Sequence, residues 1–220
     1  MRDAVLYVDR KAAGLELAQR VAARHYRDPV VLALPRGGVP IGVELARVLA
    51  APLDLVLVRK IGAPGNEEYA IGAIAEGDPP ELVLDKMALK ILEVSQEHIN
   101  VTKARALHEI ERRRRAYLDG RLRLPLAGRT AILTDDGIAT GSTMLAASRV
   151  IRRQNPERLV LAVPLASREA LARLEGAADE MVCLHVPENF GSVGQFYEFF
   201  PQLSDRDVIA LLSVPQGDGL

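Results

Sequence analysis

A chain of 220 residues, 49% of them hydrophobic, can bury a sizeable core and falls near the upper end of the size of one domain. Its 28 basic and 29 acidic side chains nearly cancel to a formal net charge of -1, which excludes a global electrostatic pull toward nucleic acid or an anionic membrane surface. Any polyanionic ligand has to be met locally. The amino-terminal stretch "MRDAVLYVDRK" carries charge too early for a secretory apolar region, and no apolar run approaches the roughly 20 residues that a membrane helix needs. Cys183 is the only cysteine, so no internal disulfide can form; in its apolar stretch it reads as a packing residue. The expected compartment is the cytoplasm.

In chain order, "VVLAL" (30–34) predicts the first buried strand. From Val39 to Ala50 a helix is expected, because Ile41, Leu45, Val48 and Leu49 recur at helical spacing and make one apolar face. "LDLVLV" (53–58) predicts the second strand. "GAPGNEEY" (62–69), with Pro64 and two glycines, reads as the most mobile segment. "YAIGAIA" (69–75) and "ELVLD" (81–85) are weaker strand candidates. A long helical pattern covers Lys86 to Leu118, with a stripe through Leu92, Ile99, Ala106, Ile110 and Tyr117, and it interrupts the strand-helix rhythm as an excursion. Four consecutive arginines in "ERRRR" (111–115) wrap around that helix and read as a solvated surface.

"TAILT" (130–134) predicts a further core strand. The helix after it, through Met144, Ala147, Ser148 and Ile151, should end near Asn155-Pro156. "LVLAV" (159–163) is the next strand, with "EMVCLHV" (180–186) a weaker one, and the tail "PQGDGL" is expected to fray. Strand, turn, helix, strand occurs at least twice, which predicts an α/β fold built on a parallel sheet flanked by helices. One domain over 1–220 is expected, with a core over about 10–80 and 127–187, the helical excursion over about 86–118 and a small carboxyl-terminal hood over about 187–220.

The chemistry concentrates in "LTDDGIATGSTM" (133–144). Ligands of open parallel sheets bind beyond the carboxyl ends of the strands, where residues 135–143 must fall. The backbone N–H groups of the Gly-rich turn, at the start of a helix, make a cradle for a phosphate, with the Thr and Ser hydroxyls as further donors. Asp135 and Asp136 would repel that phosphate. They make sense if they reach past it to accept hydrogen bonds from a vicinal diol, or hold a cation through water. A sugar phosphate offers both ends. The P-loop pattern is absent, since no lysine follows Gly141, and so is the dinucleotide glycine pattern.

"AILTDDGIATGSTM" resembles the phosphoribosyl pyrophosphate (PRPP) motif of the type I phosphoribosyltransferases, a motif shared with regulators and diphosphokinases of the same fold. The resemblance implies that Asp135 and Asp136 hold the ribose 2- and 3-hydroxyls, and that Ile138, Ala139, Thr140, Gly141, Ser142 and Thr143 enclose the 5-phosphate. It implies a diphosphate loop in "ALPRGGVPIG" (33–42), where Arg36 pairs with the diphosphate while Gly37 and Gly38 allow close backbone approach, and where relatives often hold a non-proline cis peptide. Arg59 and Lys60 resemble the basic pair that follows the second core strand, and "GAPGNEEYAIGAIAEG" occupies the place of the flexible catalytic loop.

"VPENFGSVGQFYEFF" (186–200) resembles the segment of purine-salvage members in which an aromatic stacks on the base, with Phe190 the first candidate and Phe196 and Tyr197 behind it. The spacing departs by one residue after Phe190, and no Asp follows "VGQF". His185 ends a strand near the same edge and reads as structural.

The implied activity is Mg2+-dependent transfer of ribose 5-phosphate from PRPP to a nitrogen nucleophile such as a nucleobase, releasing pyrophosphate. Asp135, Asp136, Arg36 and Lys60 would carry the chemistry. No dedicated metal cage is expected, because Mg2+ binds mostly through PRPP, with Asp135 or Asp136 reached through water. The rival is a non-catalytic PRPP sensor. No helix-turn-helix or basic arm is evident, so DNA is not an expected partner. Relatives are often homodimers.

Overall fold

The structure, a computed structural model, describes residues 5–118, 120–121 and 123–213, with the backbone alone at position 68. The 215–220 tail lies outside the described residues. In chain order come α1 (Arg10–Ala22), β1 (Pro29–Ala33), α2 (Gly38–Leu49), β2 (Leu53–Leu55), β3 (Val58–Ala63), β4 (Asn66–Ala75), β5 (Glu81–Leu84), α3 (Lys86–Ile91) and α4 (Gln96–Leu118). The second half runs β6 (Thr130–Thr134), α5 (Ser142–Arg152), β7 (Arg158–Leu165), α6 (Arg168–Arg173), β8 (Glu180–His185), a 3-10 turn at Val193–Phe196 and α7 (Asp205–Leu212).

Five strands form one parallel sheet in the order β2-β1-β6-β7-β8. Alternate residues of each central strand enter opposite cores. Val30, Leu32, Leu133 and Leu161 face a layer with Met144, Ala147 and Ile151 of α5, whereas Val31, Ile132 and Val160 face Leu17 of α1 with Ile41 and Leu45 of α2. Burial on both faces is why these runs are continuously apolar. Each fully buried Leu or Ile contributes about 1.5–3 kcal/mol of transfer free energy. The sheet is therefore a rigid platform for the loops at its edge.

The run 53–58 is not one strand. After β2 the chain leaves the parallel sheet at Val56 and Leu57 and enters a separate antiparallel sheet, β3-β4-β5. The two-residue Pro64-Gly65 connection, with Gly65 at φ 71, can join antiparallel strands but is far too short for a parallel crossover. The segment read from sequence as mobile is thus a hairpin with a bulge at Gly62, where an added Cβ would lie 2.6 Å from the Glu67 carbonyl oxygen.

The departure from the parallel sheet is clamped by Glu76. Its Oε1 accepts from Leu57 N at 3.1 Å, and its Oε2 accepts from Arg114 and Arg123, each at 2.9 Å. The long helical pattern is broken at residues 92–95, where Glu93 adopts φ 49, so α3 and α4 are separate helices. Leu92, placed in the stripe by spacing, falls in this break and is exposed, whereas Ile99, Ala106, Ile110 and Tyr117 are buried. Ala106, Ile110 and Tyr117 pack with Ile61, Ile71 and Ile74 of the second sheet and Val208 and Leu212 of α7. The excursion is therefore docked. It forms one wall above the carboxyl ends of β1 and β6.

Candidate active site

Because β2 lies on one side of β1 and β6 on the other, the strand order reverses between β1 and β6, and a crevice opens beyond their carboxyl ends. The 35–38 turn leaves β1 there, and Asp135 and Asp136 leave β6. The two loops touch so closely that only glycine fits. A Cβ on Gly37 would lie 2.0 Å from Asp136 Oδ2, and one on Gly38 would lie 2.9 Å from Asp135 Cα. The Pro35–Arg36 peptide is cis, in the loop where the family resemblance led us to expect it.

On the other side of the acids, Gly137 sits where a Cβ would lie 2.8 Å from Val193 and 2.9 Å from Leu165. The turn is tied down by Ile138 N donating to Leu165 O at 3.0 Å and by Ser167 Oγ donating to Ala139 O at 2.6 Å. Ala139 and Thr140 stay exposed. Gly141, at φ 81, precedes α5 with no side-chain cap, so the first N–H groups of that helix are left to other partners. Arg173 donates to Ser142 Oγ at 2.9 Å and places a cation beside the same turn. The arrangement can hold an anion at α5.

A cleft of about 1240 Å³ runs from this turn to α4. Its lining includes Arg36, Gly37, Arg59, Lys60, Asp135, Asp136 and Thr143. Of the residues predicted from sequence, Gly38, Ile138 and Ser142 lie behind this wall and are buried, and Gly141 shapes the turn. Arg59 and Lys60 do not end the second parallel strand; they stand inside β3, opposite Ile74 and Ala73. Phe190 does not reach the cleft. It is half-buried, its ring 5.2 Å from that of Phe196, and Phe196 and Tyr197 are themselves core residues. The aromatic that lines the cleft is Phe200.

The two acids are not equivalent. Asp136 accepts from Arg10 Nε at 2.7 Å, and its backbone carbonyl accepts from Tyr197 Oη at 2.6 Å. Arg10 also donates to Pro201 O at 2.9 Å and lies 3.6 Å over the Phe200 ring. Asp135 Oδ1 accepts from the Asp136 N–H, at 2.9 Å. Burial, and then the charge of Asp136, push the Asp135 carboxyl well above the ordinary aspartate range. Burial also raises Asp136, but Arg10 pulls it back, so Asp136 is the more readily ionised of the pair.

Several cleft residues carried no recognised sequence pattern. Arg10 lies 126 positions from its partner Asp136. His98 of α4 bonds Gly62 O through Nε2 at 2.9 Å. Arg113 corrects the expectation of a solvated arginine run. Arg112 and Arg115 are exposed, but Arg113 lines the cleft with a side chain only 11% exposed, and Arg114 pairs with the buried Glu76. Helical spacing separates the four around the axis, and only the packing of α4 decides which two turn inward. His185 packs edge-on against Tyr7 at 5.7 Å, and burial raises the Cys183 thiol to about 11, in keeping with packing roles.

Among the described residues no three His, Cys, Asp or Glu side chains gather as a metal cage, and no helix is long and apolar enough to cross a membrane. Asp135 and Asp136, two carboxylates facing one guanidinium in the same cleft, are the groups that fit a hydrated divalent cation.

An α/β sheet with a Gly-rich helix-start turn and paired acids at its switch point has the chemistry to hold a sugar phosphate. The chain belongs to the phosphoribosyl transferase domain family, whose model matches residues 8–198. It is 44% identical over 207 residues to two curated proteins of Mycobacterium tuberculosis, from strains CDC 1551 and H37Rv, that are provisionally named as phosphoribosyl transferases. The match covers 94% of this chain but 46% of each of those proteins, so the chain spans about half the length of the curated relatives it matches. The crystal structure of the Thermus thermophilus protein TT1426 is similar at 44% identity with a TM-score of 0.74, covering 94% of this chain and 97% of that one. A protein of Aquifex aeolicus, AQ2163, shares the fold at 15% identity and a TM-score of 0.54, over 86% of this chain and 85% of its own.

Proposed function

We propose that the chain, acting as one phosphoribosyltransferase-like unit, transfers ribose 5-phosphate from PRPP to a nitrogen nucleophile, a nucleobase or related base, and releases pyrophosphate. The observation that carries this reading is the meeting of the Arg36 loop, the acid pair and Thr143, at the end of the 138–143 turn, around one cleft at the strand-order reversal. Ile138 to Thr143 hold the 5-phosphate. Asp135 and Asp136 accept hydrogen bonds from the ribose hydroxyls, and Arg36, Gly37, Gly38, Arg59 and Lys60 receive the diphosphate.

In the reaction the bond from the anomeric carbon to the diphosphate oxygen breaks, its electron pair leaves with pyrophosphate, the nitrogen lone pair forms the new bond, and the nitrogen's proton passes to solvent. The ribose becomes cationic on the way. Negative charge on the acid pair then stabilises the transition state more than the ground state. Asp135 or Asp136 would hold, through water, the Mg2+ that PRPP brings, and the ion would supply charge neutralisation of the diphosphate. For stacking on the acceptor the sequence points to Phe190, and position in the cleft points to Phe200.

Titration calorimetry with PRPP and Mg2+, followed by a pyrophosphate-release assay across purines, pyrimidines and related acceptors, tests the proposal. Binding with turnover on one acceptor class is the expected result. The 2.7 Å contact between Arg10 and Asp136, which already offsets one of the two catalytic charges, favours a second reading, a PRPP sensor that binds without turnover. PRPP binding with no pyrophosphate released on any acceptor would select that sensor.

A further inference from the structure

We propose that Arg113 of α4 and Arg59 of β3, beside Arg36, form a subsite for the departing diphosphate, so that the inserted helix as well as the 35–38 loop holds that group. This rests on the phosphoribosyl reading above. Arg113, Arg59 and Arg36 all line the cleft. Arg113 is held by Glu109, whose Oε1 accepts from its Nε at 2.8 Å. Glu109 is shared with Arg112, at 2.7 Å. Among the described residues no carboxylate lies within ion-pairing distance of Arg59, and the nearest to Arg36 is Asp205, at 3.8 Å.

Lys60 and Arg105 line the cleft beside Arg36, Arg59 and Arg113, five cations against Glu67, Glu97 and Glu109, and the surplus charge is positive. Arg59 feels it, since burial and then Arg113, Arg36 and Arg112 lower its pKa. Arg36 of the 35–38 loop lines the cleft together with this cluster, and Val193 and Phe200 line it from the hood. As the anomeric bond breaks, the diphosphate gains negative charge, and cations placed there bind the transition state more strongly than the substrate.

Calorimetry of inorganic pyrophosphate on the full chain tests this subsite. Arg113→Ala should weaken pyrophosphate binding by about 10-fold or more, the size of one charge-assisted contact, and leave ribose 5-phosphate, which has no diphosphate, bound as in the parent. Glu109→Gln removes the carboxylate that competes for Arg113 and should tighten pyrophosphate binding; it decides the matter even where Arg113→Ala fails to fold. Unchanged pyrophosphate affinity in either variant, or weaker binding in Glu109→Gln, overturns the subsite. Pyrophosphate that binds together with PRPP, instead of displacing it, overturns the leaving-group role in favour of a separate oligophosphate site. If the parent protein fails to bind ribose 5-phosphate, the phosphoribosyl reading falls, and the pyrophosphate data on Arg113 still stand.

Discussion

The two ends of the cleft are electrostatic opposites. At the sheet end, two carboxylates share the one close guanidinium of Arg10; at the α4 end, Arg36, Arg112 and Arg113 share Glu109 and Asp205, and Arg59 stands near them without a close carboxylate of its own. Each end carries a surplus of one sign. A ligand with neutral hydroxyls and developing positive charge at one end and oxyanions at the other offsets both. The difference also has separate origins. The acids come from the strand end of the parallel core, whereas the arginines come from the second sheet and a helix docked on it.

The largest expected effect removes the anchor of the basic wall. Glu76 is buried, and Glu76→Ala leaves Arg114, Arg123 and the Leu57 N–H without it. Stability should fall by about 1–3 kcal/mol, the cost of leaving the buried Leu57 N–H unpaired, seen as a lower midpoint in urea unfolding. A midpoint that does not move would mean that Arg114 is as dispensable as the exposed Arg115.

At the acid end, Asp135→Asn or Asp136→Asn should each lower turnover by about 10²-fold or more, comparable to losing one preorganised electrostatic group. Full pyrophosphate release from both variants would remove any chemical role from that end. Gly37→Ala tests the junction between the ends, because its methyl would collide with the Asp136 carboxylate that Arg10 holds. Overpacking of this kind costs about 1–3 kcal/mol, and PRPP affinity should fall with the melting temperature.

The smallest effect is a slope. The folded-state pKa of Asp135 lies well above its ordinary 3.8, so between those two values the folded chain binds more protons than the unfolded one, and stability falls as pH rises through that window. Asp135→Asn removes this term and can still accept from the Asp136 N–H. The variant should therefore melt later than the parent near neutral pH and show a flatter pH profile. Glu109 gives the opposite sign. Its bond from Arg112 leads the causes that lower its pKa to about 2, so its contribution is complete above the ordinary 4.5 and is lost as pH falls toward 2. Thermal melts from pH 3 to 8 separate the two signs.

Much of the parallel core was legible, because "TAILT" and "LVLAV" are buried on both faces and their composition shows it. The placement of the 133–144 stretch was legible for a related reason: a strand end, two acids and a Gly-rich turn are contiguous, so their arrangement is local. The run 53–58 was misjudged because nothing in its apolar composition marks the point at Val56–Leu57 where the chain changes sheets. Phe190 was chosen by resemblance to the base-stacking segment of purine-salvage members, yet the hood turns it onto Phe196 and brings Phe200 to the cleft.

By itself the sequence determined an α/β sheet, the loops at its carboxyl edge and the paired acids with their Gly-rich turn, since each depends on contacts between near neighbours in the chain. Tertiary structure alone decided that Arg10 claims Asp136, that the second sheet is antiparallel, and that Arg113 turns inward while Arg112 and Arg115 do not. Those outcomes depend on how α1, β3 and α4 pack, and packing joins residues whose separation along the chain leaves no periodic trace.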